Sequence, residues 1–117
     1  MKENNVIKEK SYHFAIRIVK LYKYLSEEKK EFTLSKQILK SGTAIGALIR
    51  EGEHAESKLD FIHKLAIALK EANETEYWLE ILKDTDFIES QMFSSIHKDC
   101  IELIKLLTSI IKTLKNK

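Results

Sequence analysis

The sequence has no proline, one cysteine, one tryptophan and three glycines in 117 residues. Proline and glycine are the strongest breakers of regular structure, and a β-rich domain of this size would need many at its turns. Their scarcity predicts a few long helices. The lone Cys100 excludes an internal disulfide, which fits a reducing compartment. No apolar run approaches the roughly 20 residues of a membrane span. The N-terminal Met1-Lys2-Glu3-Asn4-Asn5 leads into no signal-peptide core. The expectation is a cytoplasmic protein without membrane attachment. An excess of one charge is also missing, because 20 basic against 18 acidic residues leave +2. Nucleic-acid binding would therefore have to come from local clustering.

The chain does have 44% hydrophobic and 32% charged residues, enough for one folded domain over residues 1–117. In helix 1, about Asn5 to Ser26, Ile7, Phe14, Ile18, Leu21, Tyr22 and Leu25 share one face. Glu27-Glu28-Lys29-Lys30-Glu31 reads as a loop, with Thr33 or Ser35 as N-cap of helix 2. Helix 2 carries Ile38, Leu39, Ile45, Leu48 and Ile49, and residues 52–56 form the next break. Ser57 and Asp60 resemble a capping box at the start of helix 3, which runs to about Lys83. After the turn Asp84-Thr85-Asp86, Ser90 or Ser94 opens helix 4. Short connections between helices of about 20 residues imply an all-α, antiparallel up-down four-helix bundle.

Two features suggest more than one copy. Helix 3 has apolar residues almost all round, from Leu59 and Ile62 to Trp78 and Leu82, and helix 4 has them over about half its circumference. Either the monomer core is well filled, or a second face is buried by another copy. Gly42 and Gly46, four residues apart, clear one side of helix 2 for close packing. They form no phosphate loop, since the Gly-Lys-Ser/Thr ending is absent.

The residues that could carry chemistry are few. Glu51 with His54, and Asp60 with His63, have metal-ligand spacing, but the first pair lies at a helix break and helix 1 offers no inward carboxylate. No metal or other cofactor is expected. Cys100, with His97 one turn before it, falls in the apolar arc of helix 4, where core packing is the plain reading. No catalytic set emerges, so the chain reads as a non-enzyme. Asp60, Glu71, Glu74 and Trp78 line one side of helix 3 and suit an interface that receives basic groups, within the subunit or between subunits. Lys10, His13, Arg17, Lys20 and Tyr24 follow three/four spacing on helix 1, with no acid between Lys10 and Ser26. Such a stripe is either a solvated face or a surface for RNA or DNA, with lysines and arginine on phosphates and Tyr24 against a base.

Ser41-Gly42-Thr43-Ala44-Ile45-Gly46-Ala47-Leu48-Ile49, Asp60 to Leu65 and Ala68 to Leu79 together resemble a bacterial four-helix-bundle family. Its members include proteins encoded in intervening sequences of 23S ribosomal RNA genes. Arg17-Ile18-Val19 and Leu106 to Lys112 also match the pattern, while Ala44 and Leu48 stand where Ser and Asn are usual. The resemblance implies a four-helix fold, a ring-like homopentamer and no established enzymatic activity. Accessory proteins of diversity-generating retroelements are similar and bind nucleic acid and a reverse transcriptase. The resulting expectation is a homo-oligomeric scaffold for nucleic acid or a ribonucleoprotein partner. The alternative is a module that binds only protein.

Overall fold

The computed structural model describes residues 2–116, and side chains of residues 5–116. It contains four helices: α1 (Lys2–Glu27), α2 (Leu34–Gly52), α3 (Lys58–Asp84) and α4 (Ser90–Lys115). Consecutive helices pack side by side, and α4 returns against α1, forming an up-down bundle about 46 Å long. The α1–α4 seam is the sparsest of the four. Three helices have 26 or 27 residues; α3 and α4 keep the bounds that the sequence suggests, and α1 starts at Lys2 rather than Asn5.

Two of the three connections reverse through a left-handed residue that is not glycine. Glu31 N–H donates to the Leu25 carbonyl at 2.9 Å, closing α1, while Lys30 takes the left-handed conformation at φ 55°. After α3, Asp86 does the same at φ 67°, a conformation that a short polar side chain tolerates.

The start of α2 corrects the expected cap. Thr33 occupies the N-cap position but its hydroxyl caps nothing, and Ser35 is buried inside the helix. Instead the Glu31 carboxylate accepts from Ser35 N at 2.7 Å and Thr33 N at 3.2 Å. Slight burial raises the Glu31 pKa, but hydrogen bonds from the Leu34, Ser35 and Thr33 backbone outweigh it and hold the carboxyl below its ordinary value. Ser57 does cap α3, accepting from Asp60 N at 3.0 Å, while the Asp60 carboxylate reaches back to Glu56 N at 3.1 Å. α4 begins at Ser90, with Glu89 before it making no side-chain cap.

The two glycines inside α2 face α1. A Cβ on Gly42 would lie 2.7–2.9 Å from the Ile18 side chain, and one on Gly46 would lie 3.3 Å from Ser11 Oγ. On the opposite flank of α2, the buried hydroxyls of Ser41 and Thr75 hydrogen-bond at 2.9 Å, and Thr75 also donates to the Glu71 carbonyl. The helices therefore meet through small residues rather than large ones.

The apolar excess of α3 and α4 is mostly used inside the bundle. Each helix packs against two neighbours, so a wide apolar arc is needed. The buried line of α3 is Ile62, Leu65, Ala68, Ala72, Thr75, Leu79 and Leu82, with Phe61, Leu69 and Trp78 packed on its flanks. Leu59 and Tyr77 on α3 and Met92 on α4 are the large apolar side chains that stay exposed there. The exposed apolar row lies on α1 instead: Tyr12, Ile16 and Val19 are 50%, 37% and 37% accessible. Among the described residues, no helix is long and apolar enough to cross a membrane.

Candidate nucleic-acid interface

Two cations of the helix-1 stripe, Arg17 and Lys10, are paired with acids of α4. Arg17 Nη1 lies 2.6 Å from Asp99 Oδ2 and donates to the Ser95 carbonyl at 3.2 Å, while Nη2 donates to Ser95 Oγ at 2.8 Å. Lys10 pairs with Glu102 at 3.3 Å. His13 lies 3.8 Å from Glu9 on its own helix. The sequence places these cations opposite the apolar face, with no acid between Lys10 and Ser26. The correction is that Lys10 and Arg17 lie at the α1–α4 seam, where α4 supplies their acids, Glu102 and Asp99. Lys20 is exposed and free of ion pairs among the described residues. It borders a shallow groove of about 300 Å³ with Arg17, Leu21, Tyr24, Met92 and Ile96. The Lys29 ammonium sits 5.8 Å above the Tyr24 ring.

The same pairing exposes a different basic row. Asp99 and Glu102 are the acids of α4, and both turn toward α1. Lys98, Lys105 and Lys112 recur every seven residues on the outward side of α4, away from its buried line, all exposed and without ion pairs among the described residues. At 1.5 Å per residue, seven residues put neighbouring lysines about 10 Å apart along the axis. Tyr77 on the adjacent α3 is 57% accessible. The seven-residue spacing was visible in the sequence. Its meaning was not, because Asp99 and Glu102 are interleaved with it.

The acidic line on α3 disperses into local roles. Asp60 is occupied at the helix cap. Glu74 accepts from Trp78 Nε1 at 3.3 Å. No lysine or arginine pairs with Glu71 or Glu74 among the described residues, so the line receives no basic group from its own subunit. Leu48 packs against the core, and Ala44 is half-buried beside it.

Cys100 is fully buried, and its thiol donates to the Ala72 carbonyl at 3.4 Å. Burial, helped by the Glu76 charge, pushes the thiol pKa up to about 12, the reverse of what a nucleophilic thiolate needs. His97 does not serve it as a base but pairs with Glu76 at 2.8 Å. His54 and His63 are exposed and join no metal-ligand group among the described residues. One group does converge there, Glu76, Glu80 and His97. Sequence reading missed it because the α3–α4 turn separates the carboxylates from the imidazole.

A family model described as 23S rRNA-intervening sequence protein matches residues 3–109. The chain belongs to that family. A crystal structure of an S23 ribosomal protein family member of unknown function from Bacteroides thetaiotaomicron VPI-5482 is 62% identical to it, with a TM-score of 0.93. The match covers 94% of this chain and 98% of that one. Among curated proteins, no sequence matches. Family membership thus agrees with the bundle, while the residues of the intervening-sequence family member described here must supply any functional reading.

Proposed function

We propose that the protein is a non-catalytic, self-associating helical scaffold that holds nucleic acid along the lysine row of α4. The observation that carries this is the pairing of both α4 acids with α1, which leaves Lys98, Lys105 and Lys112 as an uncompensated outward row. A polyanion laid along the helix would release counterions at each lysine, and Tyr77, exposed on the neighbouring α3, is an aromatic on which a base could stack. Self-association would multiply the row, so that weak contacts add by avidity. The family resemblance makes a ring of five copies the form to expect, and the family's link to 23S rRNA makes RNA the first polyanion to try.

The test is a titration of labelled single- and double-stranded RNA and DNA at two salt concentrations. Parent protein should bind, more weakly at high salt. Changing Lys98, Lys105 and Lys112 to Gln should weaken binding and flatten the log–log salt slope by about 2–3, at roughly 0.7–0.9 per phosphate contact. The fold should survive, because surface changes away from caps and cores usually cost within about 0.5 kcal/mol each. Equal affinity in parent and triple variant would remove α4 from the surface. Absence of binding by the parent at low salt would favour the second reading, a protein-binding module. The exposed Tyr12, Ile16 and Val19 row supports that alternative.

A further inference from the structure

We propose that Glu76, Glu80 and His97 form a site for a divalent transition-metal ion of the zinc type, bridging α3 and α4. One ligand atom from each side chain lies within 4.8 Å of the other two. Glu76 and Glu80 are one turn apart on α3, and His97 reaches them from α4 with Nε2 2.8 Å from Glu76 Oε2.

Charge separates this group from an ordinary ion pair. Like charges at i,i+4 on a helix repel, yet no lysine or arginine pairs with either carboxylate among the described residues. Their cationic partner is His97, charged only when protonated. Lys83, one turn beyond Glu80, pairs with neither carboxylate, its ammonium lying 4.3 Å from the Phe93 ring centre and 3.8 Å from Asp84. A doubly charged ion would neutralise both carboxylates while leaving the imidazole neutral.

The imidazole is also held as a ligand must be. Phe93 stacks on it at 4.7 Å and 21°, which limits how the ring can turn. The His97 and Glu76 side chains are 26% and 27% accessible, whereas Glu80 is exposed. The group therefore has a packed inner side and an open outer one, where water could complete the coordination. One imidazole nitrogen with two carboxylates suits zinc, which takes both at about 2.0–2.2 Å. Cys100, one turn after His97, is directed at the Ala72 carbonyl, so no soft thiolate joins the set.

The experiment uses the full chain, stripped with a chelator and titrated with Zn²⁺ against a chromophoric competitor. Co²⁺ absorption provides a second readout. One ion should bind per chain and raise the melting temperature. Glu80→Gln removes an exposed ligand without touching the core and should weaken binding at least about tenfold, the smallest cost seen even for supporting groups at metal sites. His97→Gln should do the same, with circular dichroism checking the fold. If that variant unfolds, Glu80→Gln alone decides. Changing His54 and His63 to Gln should leave binding unchanged. The site is refuted by no zinc binding at micromolar metal, by unchanged affinity in Glu80→Gln, or by loss of binding in the His54/His63 variant.

Discussion

Arg17 and Asp99 are 82 residues apart in the chain and 2.6 Å apart in the bundle, and Ser95 receives the rest of the guanidinium. This contact closes the sparsest seam. It also takes Arg17 out of the free basic surface and takes Asp99 away from the outward side of α4. Both side chains are about 40% exposed (38% and 42%), so solvent screens the pair. In urea melts, a double-mutant cycle of Arg17→Ala and Asp99→Ala should give a coupling of about 0.5–1 kcal/mol. A coupling indistinguishable from zero would mean that the seam is held by its apolar contacts alone.

Gly42→Ala should destabilise the protein even though alanine favours helix by about 1 kcal/mol. Its Cβ would meet three carbons of the fully buried Ile18 at 2.7–2.9 Å, and overpacking of this kind costs about 1–3 kcal/mol. Gly46→Ala should be milder, because its Cβ sits at 3.3 Å or more from Ser11. Gly46→Leu should again be damaging. If Gly42→Ala melts at a higher urea concentration than the parent, α1 and α2 are not in close contact there.

Assembly should depend on α1 more than on α3 or α4. Tyr12, Ile16 and Val19 share one face, and they remain exposed after the core is filled. Light scattering coupled to size exclusion should show an oligomer for the parent. Ile16→Glu combined with Val19→Glu should give a monomer of unchanged helicity. A parent protein that runs as a monomer at micromolar concentration would contradict self-association outright.

Cys100 sets a pH dependence. Its pKa is raised from 9.0 to about 12 by burial, helped by Glu76. A raised pKa means that the folded chain holds its proton where the unfolded chain has lost it. The stabilising contribution is therefore complete below about pH 9 and is lost as pH rises toward 12. Between pH 9 and 11, the parent should lose more stability than Cys100→Ala, with the variant correcting for lysine and tyrosine titration. The native thiol should also resist a disulfide reagent at pH 8. Reaction there at the rate of an unfolded peptide would show that the thiol is not buried.

The sequence by itself determined the elements. Absent proline and scarce glycine predicted long helices, and apolar spacing marked the buried faces of α1, α2 and α4. The Ser57–Asp60 pair located the start of α3, and Gly42 and Gly46 marked close packing. These signals act within a few residues of each other, through backbone conformation, capping hydrogen bonds and helical period. Even so, Glu31, not Thr33, caps α2, because the reach of a glutamate across a turn is not a fixed motif.

Tertiary structure alone decided how the charges are paired. Lys10 and Arg17 looked free because their acids, Glu102 and Asp99, lie on the last helix. The row of Lys98, Lys105 and Lys112 looked mixed until those acids turned away to α1. Glu76, Glu80 and His97 meet only because α3 and α4 run antiparallel at one register. Electrostatic interaction depends on distance in space, and a sequence period gives only the angle of each residue around its own helix. The apolar pattern could form four helices, but their packing determined which lysines stayed free and which carboxylates converged.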